Sequence, residues 1–124
     1  MGLFRKPRPL GVQGEDLAVR ALRRAGYRIL SRNTHIGRYE IDVIAREGDT
    51  TAFIEVKTRR SADLVSPEEN VGRVKRRHIV TAARRYIAQE DNPDRYYRFD
   101  IVSVVVPETG KPETTIYRDA FREE

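Results

Sequence analysis

The sequence predicts an α/β domain in which a central mixed β-sheet is flanked by helices, in the order αβββαβ. Three observations carry that prediction. Apolar residues recur at helical spacing in two segments, Leu17 to Ala25 and Val71 to Ile87. Three β-branched and aromatic runs lie between them, and a fourth, Tyr96 to Val106, follows the second helix. Strands and helices in that order bury their apolar faces by packing helices onto one sheet.

The chain has 124 residues, which suits one core; residues 1–10 read as a flexible basic N-terminal arm and residues 11–124 as a single domain. With 35% charged and 39% hydrophobic residues, the composition is globular rather than disordered. No cysteine is present, which excludes disulfides and thiolate metal sites and suits a reducing cytoplasm. No apolar run approaches the roughly 20 residues that cross a bilayer, so no membrane partner is expected. The net charge of +5 is a mild bias toward anionic partners.

The first helix is predicted from about Val12 to Ala25. Leu17, Ala18, Ala21, Leu22 and Ala25 form its apolar arc, Arg20, Arg23 and Arg24 fall opposite, and Gly26 is the stop. Glu15 sits at the edge of the buried side. Two readings fit it: a first-turn acid favoured by the helix dipole, or a carboxylate facing a site. Tyr27 to Asn33, Tyr39 to Arg46 and Thr51 to Thr58 read as strands. Glu47-Gly48-Asp49-Thr50 is a tight-turn sequence, so the second and third strands form an antiparallel hairpin. A polar loop from Ser61 to Asn70 leads to a second helix over about Arg73 to Gln89, broken by Asn92-Pro93-Asp94. Thr114 to Tyr117 reads as a short edge strand.

A turn centred between Gly48 and Asp49 puts Asp42 opposite Glu55 and Glu40 opposite Lys57. Strict alternation would place all four on one side of the sheet. Opposed side chains have Cβ atoms roughly 4.5–5.5 Å apart, and two facing carboxylates repel. Their neighbours Ile41, Val43, Ile44, Phe53, Ile54 and Val56 are apolar, so the acids interrupt a core-like strand pair where unpaired charge is costly. A divalent cation between Asp42 and Glu55 removes both problems, and hard oxygen ligands favour Mg²⁺ or Mn²⁺. The competing reading is a solvent-facing hairpin side with ordinary surface pairs. Glu40 is expected to pair with Lys57.

Glu40-Ile41-Asp42 followed by Glu55-Val56-Lys57 resembles the PD-(D/E)xK signature of restriction-endonuclease-like nucleases. The stretches Gly37 to Ala45, Phe53 to Arg59, Arg98 to Val102 and Asp119 to Phe121 resemble the YraN-type group of bacterial proteins. These are described as predicted endonucleases related to archaeal Holliday-junction resolvases. The resemblance runs from about Gly14 to Phe121 and implies a restriction-endonuclease-like core. It implies that Asp42 and Glu55 hold a catalytic metal, that Lys57 orients the attacking water and steadies the phosphate, and that Glu15 reaches the metal directly or through water. The signature's proline is absent; Ile41 precedes Asp42.

On the second helix Arg73, Arg77 and Arg84 share one side and read either as a solvated face or as a phosphate track beside the site. Lys75 falls within the apolar arc, where it either snorkels to the rim or points at the site. Arg59 and Arg60 follow the Glu-x-Lys motif and are further candidates for backbone contacts. His35 and His78 have no metal-ligand spacing, and Asp100 reads as a structural hydrogen-bonding acid. The expectation is a Mg²⁺- or Mn²⁺-dependent endonuclease acting on DNA, branched or structured DNA included, with a homodimer as the assembly that junction cleavage would require. The alternative is a non-catalytic nucleic-acid-binding or protein-interaction module on the same scaffold.

Overall fold

The computed structural model describes residues 8–61, 71–90 and 96–123. Helix α1 spans Leu10–Arg24, β1 Arg28–Ile36, β2 Tyr39–Glu47, β3 Thr50–Arg59, α2 Arg73–Ala88, β4 Tyr96–Val105 and β5 Glu113–Phe121. The strands form one sheet in the order β1-β2-β3-β4-β5. β3 and β4 are parallel, joined by the crossover that carries α2, and the other pairs are antiparallel. The predicted α/β architecture with a mixed sheet is therefore present. Among the described residues no helix is long and apolar enough to cross a membrane. The basic arm falls, as far as residue 7, outside the described residues, as do nearly all of the Ser61 to Asn70 loop and the Asn92-Pro93-Asp94 break.

α1 starts two residues earlier than its periodicity suggests, because the Gln13 amide bonds the Pro9 carbonyl at 3.0 Å. It ends as Gly26 predicts. Gly26 takes a left-handed φ of 97°, the Gly26 amide donates to Arg23 and the Tyr27 amide donates to Leu22. Tyr27 then packs with Leu22 in the same core cluster. Ala18, Val19 and Leu22 meet Val43, Ala45, Ala52, Ile54, Val102 and Val104 on one face of the sheet. On the other face Ile79, Ala82 and Ala83 of α2 meet Ile41, Ile44, Phe53 and Ile101.

Gly14 is where α1 comes closest to β3. A Cβ there would lie 1.9 Å from the Thr58 hydroxyl and 2.6 Å from its Cβ. Thr58 is β-branched and cannot swing clear, so Gly14→Ala must push α1 off the sheet. We expect a loss of about 1–3 kcal/mol, read as a lower melting temperature.

The fifth strand is longer than Thr114 to Tyr117. Its ladder with β4 shifts register between Phe99 and Ile101, and Asp119 adopts a φ of 54° at the irregularity. The Asp119 amide donates to Asp100 Oδ1 at 2.9 Å, which anchors the kink. Asp100 is fully buried and does more than this. It accepts the Tyr27 hydroxyl at 2.8 Å and a two-pronged contact from Arg98 at 2.8 Å on each oxygen. Arg98 also reaches Glu47, which Arg118 grips from β5. One buried acid thus ties α1's exit, β2, β4 and β5 together. Its structural role, expected from the sequence, is plain.

Candidate active site

β2 and β3 pair in the predicted register from the Gly48–Asp49 turn as far as Val43 opposite Ile54. Beyond that pair the two strands part, while β3 stays paired with β4 through Arg59. Asp42 stands at the parting. Its Oδ2 accepts the Val56 amide at 2.8 Å, so a side chain replaces the missing rung of the ladder. The in-out alternation breaks at the same point. Val43 and Ala45 face α1, whereas both Ile41 and Ile44 face α2. Asp42 is brought beside Glu55, close enough for each acid to perturb the other's ionisation.

Glu55 is 6% exposed, and its Oε2 is buried with no hydrogen-bond partner. Burial first, then the Asp42 charge, push its carboxyl up to about 7; Lys75 and Lys57 pull it back. Asp42 is also raised, mainly by burial, against the pull of the Val56 amide. The folded chain therefore holds a proton that an unfolded glutamate releases near 4.5. The stability this contributes is complete below that value and lost as the pH rises through about 7, opposite to an ordinary paired carboxylate. Denaturant melts from pH 5 to 8 should show stability falling by about 2–3 kcal/mol as the coupled pair loses its proton, and Glu55→Gln should flatten the fall.

Two lysines flank the pair. Lys57 shares Glu55's strand face and acts on its charge. Lys75 Nζ lies 3.8 Å from Glu55 Oε1, with the side chain 44% exposed. Its partly exposed side chain thus reaches the rim and lies next to Glu55.

Glu15 approaches from α1 and raises Asp42 by its charge. Its own carboxylate is held by Arg32 Nε at 3.0 Å and Asn33 Nδ2 at 2.8 Å, with Asn33 in a left-handed turn of β1. Among the described residues no three His, Cys, Asp or Glu side chains gather as a metal cage, so the close set is the Asp42–Glu55 pair, with Glu15 behind it. Arg32 and Asn33, which position Glu15, carry no sequence signal beyond their neighbourhood.

Glu40 requires a correction. It lies 3.8 Å from His35 Nε2 across β1 rather than pairing with Lys57, because β2 has already left β3 there. Arg60 reaches back to the Val106 carbonyl at 3.4 Å, and the Val106 amide bonds the Arg59 carbonyl, so the end of β3 is tied to β4's exit. Arg73, Arg77 and Arg84 do not flank the carboxylates. At about 100° per residue they lie on the opposite side of α2 from Lys75, and they line a cleft with Arg122.

Residues 14–104 match the family described as "Uncharacterised protein family UPF0102". The chain belongs to the UPF0102 family. A UPF0102 protein of Chlorobium phaeobacteroides is 39% identical over 123 residues, covering 95% of this chain and 97% of that one. One from Nocardia farcinica is 45% identical over 103 residues, 83% of this chain and 81% of its own. One from Chlorobaculum tepidum is 46% identical over 99 residues, 80% and 77% respectively. The UPF0102 match takes in Glu15, Asp42, Glu55, Lys57 and Lys75, and it also takes in the buried Arg98–Asp100 pair; the Asp119 kink lies beyond it.

Proposed function

We propose that this UPF0102 chain is a divalent-metal-dependent nuclease that hydrolyses DNA phosphodiester bonds. The observation that carries the reading is the buried pair itself: Glu55 lies against Asp42, the two carboxyls interact with each other, and Glu55 Oε2 is buried with no other partner. Desolvating two acids together costs free energy unless a cation joins them. The donor set is hard, oxygen-only and short of a full cage, which fits Mg²⁺ or Mn²⁺ completed by water and substrate. Asp42 and Glu55 would hold it, and when bound it supplies an acidified water and a charge for the phosphate oxygens.

The chain's own residues do the rest. The Val56 amide holds the Asp42 carboxylate by Oδ2 and so fixes its orientation toward Glu55. Lys57 brings a positive charge to where the phosphate gains negative charge. Lys75, on α2, offers a second cation 3.8 Å from Glu55. Glu15 tunes Asp42 from a distance through its charge. The likeness to junction-cleaving nucleases adds branched DNA to the substrates worth testing, and a homodimer to the assemblies. A cysteine-free DNA enzyme suits the cytoplasm.

The test is purified protein with Mg²⁺, Mn²⁺ or EDTA against linear, nicked and four-way-junction DNA. Cleavage that needs the metal supports the reading; binding without cleavage under every metal condition favours a non-catalytic module. Lys57→Met is expected to slow cleavage about 10²–10³-fold without lowering the melting temperature, as for other groups that stabilise developing charge.

A further inference from the structure

α2 lies over β1 and β2, and its far flank leaves an open groove toward β4 and β5. The groove has two continuous parts, of ≈ 700 and ≈ 590 Å³, which share Val80, Arg84, Arg122 and Glu123. Their chemistry differs. Arg73, Arg76, Arg77, Arg84 and Arg122 line the first; Arg84 pairs with Glu123 and Arg122 with Asp119. Tyr96, Tyr97, Phe99 and Phe121 line the second. Tyr96 is 69% exposed, an unusual setting for a large ring. Of these rings only Tyr96 is exposed: Phe99 and Phe121 stack on each other at 5.1 Å, Arg76 covers Phe121, and Tyr97 stacks on Phe53.

Several occupants could cover such a surface, and charge decides among them. A second copy of the chain docking here about a two-fold axis would set arginine against arginine. An acidic protein segment would satisfy the arginines but has no flat ring to set against the exposed Tyr96. A DNA duplex offers phosphates, but its base faces are hidden in the stack. A single strand offers both a line of phosphates and free base faces, the combination that basic grooves with aromatic platforms bind. We propose that this groove binds a single-stranded stretch of nucleic acid, with phosphates along Arg73 and Arg77 of α2 and a base stacked on the exposed Tyr96. The inference is independent of the carboxylate pair, which lies across α2.

The experiment is fluorescence anisotropy with a labelled oligo-dT strand in EDTA, using the full chain carrying Asp42→Asn so that no cleavage intervenes. Arg73→Ala/Arg77→Ala should weaken binding and lower the salt slope by about 1.4, at about 0.7 per phosphate contact on a single strand. Tyr96→Ala should weaken binding about 5- to 100-fold, the usual range for losing one stacked base. Tyr96 and these arginines are exposed, so melts should be unchanged; Arg20→Ala/Arg23→Ala on α1 is the control and should bind normally. Failure of the wild-type chain to bind the strand overturns the proposal, as does binding that ignores all groove substitutions. Equal weakening of duplex and single strand, with Tyr96→Ala silent, also overturns it, since the surface would then read phosphates alone. Equal competition by polyglutamate would assign the groove to an acidic protein segment. Groove-dependent self-association in sedimentation would assign it to a second copy. A chain that binds here yet never cleaves DNA leaves this inference standing and sinks only the nuclease reading.

Discussion

Asp42→Asn is expected to abolish metal-dependent DNA cleavage, by about 10³-fold or more, while the chain stays folded. Asparagine keeps an oxygen that can accept the Val56 amide, so the strand junction survives. It removes the charge that a hard cation needs. Metal assistance contributes several kcal/mol to such a reaction, and each 1.36 kcal/mol is tenfold in rate. Glu55→Gln should have the same kinetic effect, with the added result that the protein becomes more stable above pH 7, where the parent holds two charged acids side by side. Single-turnover rates, Mn²⁺ titration calorimetry and thermal melts separate these effects. An Asp42→Asn chain that cleaves within tenfold of the parent would exclude this pair as the catalytic centre.

Asp100→Ala carries the largest expected loss of stability, about 3–5 kcal/mol, a large share of the roughly 5–15 kcal/mol that holds a domain together. The substitution strips four donors of one acceptor group: both prongs of Arg98, the Tyr27 hydroxyl and the Asp119 amide. Arg98, with its side chain 19% exposed, would keep a charge with only Glu47 to meet it. Asp100→Asn should fall between, since it keeps one oxygen but brings donors against Arg98. Urea denaturation gives the difference directly; a cost below 1 kcal/mol would show that the network is not needed for stability.

The heart of the candidate site was legible in the sequence because a two-residue turn fixes register. Gly48-Asp49 determines which residue of β2 meets which of β3 as far as Val43 and Ile54, and Asp42 and Glu55 are the next residues along. Counting fails once the strands separate. Alternation alone places Glu40 opposite Lys57, and Asp42 interrupts that alternation. Lys75 stood out as a cation in an apolar arc, but only packing decides whether such a side chain snorkels or points inward. Helical spacing puts the arginines of α2 on one side; which neighbour that side faces depends on where the helix sits across the sheet, a tertiary fact with no local signature. Asp100 could be seen as a buried acid, yet its partner Tyr27 lies 73 residues away. The length of β5 was missed because its ladder survives a kink at Asp119 that interrupts the strand pattern.

β3 acquires its two neighbours on very different terms. β2 precedes it across a short turn, whereas β4 arrives only after the α2 crossover, and loop closure of that length makes parallel pairing intrinsically late. During synthesis the β4-facing edge of Thr50 to Arg59 is therefore exposed while it waits, and Thr-Ala-Phe-Ile with Val56 is the sort of segment that recruits other chains. Glu55 and Lys57 interrupt that run with charge of both signs. The residues assigned to chemistry in the mature protein thus also act as gatekeepers against aggregation while the nascent sheet is incomplete.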